Sequence, residues 1–162
     1  GKIITGENGL ELLELTSKGC SSLNVDFPGA LRILAVAASS GKVATVESVT
    51  GFASNPERLV VYSTESSSTP FRHALSDVES SETYFCSATK LLFFNSGILL
   101  FDKECEKLGV FDREGYFINS IQLQDFKIRV AIDMAVFDNE VYFLTKNSFD
   151  FGYKLEISDL LR

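Results

Sequence analysis

One histidine, three cysteines and a few paired carboxylates are the residues of this chain that bring reactive groups. His73 is the single histidine, in Phe71-Arg72-His73. A Ser-His-Asp or Cys-His machine needs a base held beside its nucleophile by a third group. The neighbouring sequence supplies no such group, so His73 is expected at a strand edge or exposed in a loop-rich region. The cysteines are Cys20, Cys86 and Cys105, with no CxxC pair. Together with one histidine they offer no zinc-ligand spacing. An odd count does not suit a secreted disulfide framework, so all three are expected as free thiols in a reducing compartment. Asp102/Glu104, Asp112/Glu114 and Asp125/Asp133 are the acidic pairs. Two carboxylates run acid–base hydrolysis only where their environments separate their pKa values. These stand at strand ends and turns, where aspartate bonds its own backbone. No GxGxxG or GxxxxGK[ST] loop occurs. The expectation is a protein with no catalytic, metal or cofactor-binding residue: not an enzyme, and with no cofactor.

Binding groups are more plentiful. Phe149, Phe151 and Tyr153 stand in KNSFDFGY, and Leu160 and Leu161 precede the final Arg162. Aromatic and aliphatic side chains on a loop or at a domain end anchor protein interfaces. These five are the expected protein-binding residues. Two serine-rich acidic stretches, TESSST and SDVESSET, contain Ser66, Ser67, Ser68, Ser80 and Ser81. They read as surface loops and as candidate phosphorylation or docking sites.

Charge removes two partner classes. The net charge is −7 and the 15 basic residues form no cluster. A phosphate-tracking surface or an anionic membrane surface requires one. No apolar run approaches the ~18 residues that span a bilayer. Protein partners are therefore expected, with no nucleic acid and no membrane insertion, in the cytoplasm or nucleus.

Positioning these groups falls to strands. Hydrophobic residues make up 45% of the chain, with 14 Phe, 5 Tyr and no Trp. The apolar runs are short, rich in Val, Ile, Phe and Tyr, and separated by turn residues, the pattern of an all-β fold. Thirteen such runs stand in order, from KIIT (2–5) to YKLEI (153–157), and include TYFCSA (83–88). Asn8-Gly9, Ser40-Gly41, Ser96-Gly97, Glu114-Gly115 and Asp138-Asn139 supply the turns.

The runs also repeat. Leu12, Leu59, Leu108 and Lys154 open four similar segments at spacings of 47, 49 and 46 residues. Ser39-Ser40-Gly41, Asn95-Ser96-Gly97 and Asp138-Asn139-Glu140 form a second series. A period near 47 is that of a four-stranded propeller blade. The expected blades are 1–26, 31–75, 83–123 and 130–158. The first lacks its inner strand, the last lacks its outer strand, and TYFCSA fits no slot. About 3.5 to 4 blades is short of most propellers, so the expectation is one domain over 1–162 forming part of a larger propeller. A compact four-bladed ring and a β-sandwich are the rival architectures.

KIITGENGLELLEL resembles the second hairpin of a WD-repeat blade. GILLFDKECEKLGVFDREGYFINSIQL resembles an NHL-type blade, in which a strand ending in Phe-Asp turns through glycine into the outer strand. Together these liken the chain to the β-propeller superfamily, although no Trp-Asp, Gly-His or Gly-Gly signature is present. The resemblance implies a non-catalytic scaffold subunit in a multi-protein complex. It leaves two alternatives: a small-molecule-binding or hydrolytic propeller working through a central channel, with Asp133 as its one candidate polar residue, and a nucleic-acid-binding NHL-like propeller, which the acidic balance disfavours.

Overall fold

Strand periodicity and turn chemistry agree along most of the chain. The computed structural model describes residues 2–6, 9–16, 19–23, 32–48, 57–64, 70–75, 81–146 and 153–161. Within them the protein is all-β, with four antiparallel sheets. Sheet I holds β1 (Lys2–Gly6), β2 (Gly9–Thr16) and β3 (Gly19–Leu23). Sheet II holds β4 (Arg32–Ser39), β5 (Lys42–Ser48), β6 (Glu57–Ser63) and β7 (Phe71–Ala74). Sheet III holds β8 (Ala88–Phe94), β9 (Gly97–Asp102), β10 (Lys107–Asp112) and β11 (Phe117–Gln122). Sheet IV holds β12 (Ala131–Phe137), β13 (Glu140–Thr145) and β14 (Tyr153–Glu156). In every sheet the strands lie in chain order.

Short turns set the register. Asp138 (φ 46°) and Asn139 (φ 63°) both adopt the left-handed conformation between β12 and β13. A two-residue hairpin needs that backbone to match strand twist, and Asp and Asn tolerate it. The equivalent turns are Ser40-Gly41 and Asn95-Ser96. The second series read from the sequence therefore shifts by one residue: Ser40, not Ser39, stands at the place of Asn95. The first strands of sheets II, III and IV also carry a bulge at the same place. The pairing slips between Ile33 and Ala35 in β4, between Ala88 and Lys90 in β8, and between Ala131 and Asp133 in β12. Three sheets thus share one construction, down to the residue that is left over.

The third strands correct the other series at its end. Gly97 pairs with Asp112, and Glu140 pairs with Glu156. Lys154 therefore takes the place of Val110 rather than Leu108. Residue 157, expected to end a strand, opens the helical turn α1 (Ile157–Leu160). Its Ile157 and Leu160 drop into the core beside sheet III.

Sheets II, III and IV stack through two apolar layers. Ala44, Val46, Leu59 and Val61 of sheet II meet Leu91, Ile98, Leu100 and Phe111 of sheet III. Leu99, Phe101, Leu108 and Val110, from the other face of sheet III, meet Met134, Val141, Phe143 and Leu155 of sheet IV. Alternation sends successive side chains to opposite faces. Since both faces of sheet III are covered, β9 is buried along its whole length. Each fully buried Leu or Phe contributes about 1.5–3 kcal/mol relative to exposure. On one side of the stack the first strands converge, with β8 beside both β4 and β12. Lys90 Nζ lies 2.5 Å from Asp133 Oδ1, and Asn95 Nδ2 donates to Asn139 Oδ1 at 3.0 Å.

Candidate interaction face

Sheet IV departs from its neighbours on one side. Its inner face is buried against sheet III, whereas Ala135, Phe137, Tyr142 and Leu144 point outward and are exposed. Phe137 is 71% exposed and Leu144 53%. The shared hairpin register gives each an equivalent in sheet III. Phe137 takes the place of Phe94, Tyr142 that of Leu99, and Leu144 that of Phe101. Those three counterparts are 7%, 0% and 1% exposed, because sheet IV covers them. In sheet II the same places as Leu99 and Phe101 hold Ala44 and Val46, covered by sheet III. The outward face of sheet IV is therefore the stacking face of the series, left open.

Two ion pairs stand at its ends, while Glu156, across the ladder from Glu140, is exposed on the same face. Lys90 and Asp133 form an ion pair at one end. The Lys90 hydrogen bond holds the Asp133 carboxyl below the usual carboxylate range. At the other end Glu140 takes hydrogen bonds from Lys154 Nζ (2.5 Å) and from the Tyr142 hydroxyl. The Lys154 bond chiefly lowers the Glu140 carboxyl, and the Glu140 bond chiefly raises both Lys154 and Tyr142. Between these ends lies a shallow recess of about 290 Å³ lined by Lys90, Asp133, Ala135, Tyr142 and Leu144 among others. Asp133, the candidate channel residue, is thus the partner of a lysine at the edge of an apolar face.

Most other polar residues hold the fold. Glu47 and Asp102 occupy the same place, near the end of the second strand in sheets II and III, and each faces a base across the ladder, Arg58 or Lys107. Glu47 is 1% exposed. It accepts from Thr45 Oγ1 (3.0 Å), Arg58 Nε (3.1 Å) and Nη2 (3.0 Å), and the Tyr62 hydroxyl (2.5 Å). Burial and the Glu47 carboxylate push the Tyr62 phenol well above its usual value. No sequence motif announces this network; a lone glutamate inside an apolar strand is its only signal.

Asp102 is fully buried and accepts four backbone N–H groups. Oδ2 takes those of Cys86 (2.5 Å) and Ser87 (3.2 Å), and Oδ1 those of Glu104 (2.9 Å) and Cys105 (3.0 Å). This corrects the reading of 83–88 as a strand. Apart from an isolated bridge at Tyr84 and from Ala88, which opens β8, the segment is irregular, because a carboxylate takes the N–H groups of Cys86 and Ser87. Lys107 Nζ takes its acceptors, the carbonyls of Glu82 (2.6 Å) and Tyr84 (3.0 Å), and lies over the Phe85 ring. Burial lowers the Lys107 pKa. The Phe85 ring sits where Gly109 has no side chain: a Cβ there would meet it at 2.5 Å.

The segment 83–88, a strap across the end of sheet III, carries a second correction. Cys86 and Cys105 are joined in a disulfide with Cα atoms 5.7 Å apart, so two of the expected free thiols are absent. The argument from thiols to a reducing compartment loses its basis. Cys86, Asp102 and Cys105 do come within 4.8 Å of one another. A metal ion would find the sulfurs bonded to each other and both carboxylate oxygens occupied.

The remaining candidates scatter. Phe149, Phe151, Ser66, Ser67, Ser68 and Ser80 lie outside the described residues. Ser81 is half-buried, and its hydroxyl is 2.9 Å from that of Thr83. Tyr153 is half-buried against the sheet III–IV core, and Leu160 is fully buried within it. That takes Leu160 out of the set open to a partner and leaves Leu161, 44% exposed. His73 lies on the edge strand β7, its ring 5.6 Å from that of Phe111 and 6.3 Å from that of Phe117. Its Nε2 is buried without a partner, and burial lowers its pKa. Asp112, expected to bond its own backbone, accepts from Glu114 and Tyr116. Among the described residues no helix is long and apolar enough to cross a membrane. No family model and no curated protein matches the chain, so the geometry alone carries the functional argument.

Proposed function

We propose that this chain is a non-catalytic protein–protein interaction platform, built as a run of β-propeller blades and working as a scaffold segment of a larger assembly. One observation carries the reading. Three successive sheets repeat the same hairpin, bulge and stacking face, and the last stacking face is open and apolar. A blade buries its faces only against neighbours, so such a series continues until a neighbour covers its end. Convergence of β4, β8 and β12 on one side favours sheets arranged about an axis, as blades are. Buried polar groups also favour it: Glu47, Asp102 and Lys107 bind their own chain, which is the work of a scaffold.

Spin-label distances test the arrangement. Labels at the inner turns, Ser40→Cys with Ser96→Cys, should lie closer together than labels on the outer strands, Arg72→Cys with Ile118→Cys. Equal separations would mean flat stacking and remove the propeller reading. A ligand-binding channel makes the opposite functional forecast. If a small molecule stabilised the protein against heat and Asp133→Asn abolished that, the platform reading would fail.

A further inference from the structure

We infer that the Cys86–Cys105 disulfide is a reversible redox couple, opened by a small peptide-like thiol that attacks the Cys105 sulfur from a polar recess while the strap 83–88 stays docked. The inference stands apart from the platform reading. It concerns the end of sheet III and needs nothing from the open face of sheet IV. Access and retention carry it.

Access comes first. Cys105 forms part of the wall of a recess of about 410 Å³, with Ser81, Glu82, Tyr84, Lys107 and Ser120, and Cys86 does not reach that wall. The volume suits a small molecule, and the side chains named are polar, as a peptide-like thiol requires. Retention comes second. A structural staple tethers a segment that little else holds, whereas this strap has anchors that involve no sulfur. Asp102 takes the N–H groups of Cys86, Ser87 and Cys105. Lys107 Nζ takes the carbonyls of Glu82 and Tyr84, and Ser120 Oγ donates to the Glu82 carbonyl at 3.1 Å. Phe85, 5% exposed, fills the notch over Gly109. Because Asp102 holds the backbone of both cysteines, the opened thiols stay near each other and can close again. Lys107, across the ladder from Asp102, balances that carboxylate beside the sulfurs. The exchange follows ordinary thiol chemistry. An external thiolate bonds to Cys105 Sγ, the Cys86–Cys105 bond breaks, and Cys86 leaves as a thiolate and takes a proton. A second external thiol then attacks the first and frees Cys105. Two external thiols become one disulfide, the protein disulfide becomes two thiols, and the two protons end on Cys86 and Cys105. Closure is the reverse, with Cys86 as the resolving thiol.

Cys20→Ser leaves the pair as the only cysteines and gives the chain in which to test this. Dithiothreitol without denaturant should release both thiols while the circular dichroism spectrum and a cooperative melt persist. Oxidised glutathione should then restore the disulfide. In the reduced chain, iodoacetamide should alkylate Cys105 at least about tenfold faster than Cys86, because the recess reaches one sulfur and not the other. Adding Cys86→Ser removes the resolving thiol, so oxidised glutathione should leave one glutathione bonded to Cys105, seen by mass spectrometry. A disulfide that dithiothreitol opens only in denaturant would overturn the inference. So would a chain that unfolds on reduction, which marks a structural staple, or alkylation of Cys86 as fast as that of Cys105. A folded Cys86→Ser chain that traps no glutathione would overturn it as well. Should that variant misfold, the reduction and alkylation of the Cys20→Ser chain still decide.

Discussion

Sheets III and IV are the same object in two circumstances. Both carry the bulge in the first strand, the two-residue turn and an apolar ladder on each face. Among the described residues sheet III has a neighbour on both sides, whereas sheet IV has one. The consequence is visible residue by residue: Phe94 is buried where Phe137 is exposed, and Phe101 where Leu144 is exposed. The comparison separates what a strand's own sequence decides from what its neighbours decide. Strand and turn are local. Whether an outward aromatic is core or surface depends on what stacks on it.

The sharpest way to break the comparison is to truncate equivalent residues. Phe101 is fully buried, its ring 6.1 Å from that of Phe143 across the sheet III–IV layer. Phe101→Ala should cost about 3–5 kcal/mol through lost burial and the cavity left behind. Leu144→Ala, at the same place one sheet further on, should stay within about 0.5 kcal/mol, as surface changes do. Urea denaturation under dilute, monomeric conditions measures both. Similar costs at the two positions would mean that sheet IV is covered in the monomer and that the open face does not exist.

A second comparison concerns the residues at the end of the second strand, Glu47 in sheet II and Thr145 in sheet IV. Both are buried, but only Glu47 brings a charge, with Arg58, Tyr62 and Thr45 around it. Glu47→Ala strands a guanidinium and a phenol beside a cavity and should cost about 3–4 kcal/mol. Thr145→Ala should cost about 1 kcal/mol, the usual net value of a hydrogen-bonded hydroxyl. The Arg58→Ala/Glu47→Ala double variant checks the assignment. If Glu47 acts through Arg58, the double loss falls well short of the sum of the single ones.

These contrasts also mark what the sequence could and could not convey. The hairpins were legible because alternation and turn residues are local signals: Asp138-Asn139 needs no neighbour to be a tight turn. The spacings between hairpins were read with errors of one and two residues, because short strands look alike in any register. TYFCSA misled because its β-forming residues are overruled from a distance, by Asp102 taking the N–H groups of Cys86 and Ser87. The same strap brings Cys86 and Cys105 together across 19 residues, a proximity no spacing rule contains. Leu160 read as a terminal anchor, yet the turn α1 carries it into the core. The open face was beyond reach altogether: Tyr142 and Leu144 are the residue types a covered strand would use, and exposure depends on what packs against a strand rather than on its own residues.

The smallest expected effect tests the layer between sheets II and III against the layer between III and IV. The first contains a titratable group, His73, set among the rings of Phe111 and Phe117. None of the buried residues of the second is titratable. Burial lowers the His73 pKa from its ordinary 6.5, so the folded chain binds the proton less readily than the unfolded chain. Stability is then full above about pH 6.5 and declines as the pH falls through that value, until the folded-state pKa is reached and the loss ends. Glu57 acts in the opposite sense. Burial chiefly raises its carboxyl above 4.5, so the folded chain takes up that proton first and gains stability in more acid solution. His73→Leu keeps an apolar side chain against the two rings and removes only the titration. Melting temperatures from about pH 5 to about pH 8 should fall with acidity less steeply in His73→Leu than in the parent chain. The two curves should run parallel above about pH 7, and below it the variant should gain on the parent chain. Parallel curves throughout would mean that His73 is hydrated in the folded chain and that the sheet II–III layer opens at the β7 edge.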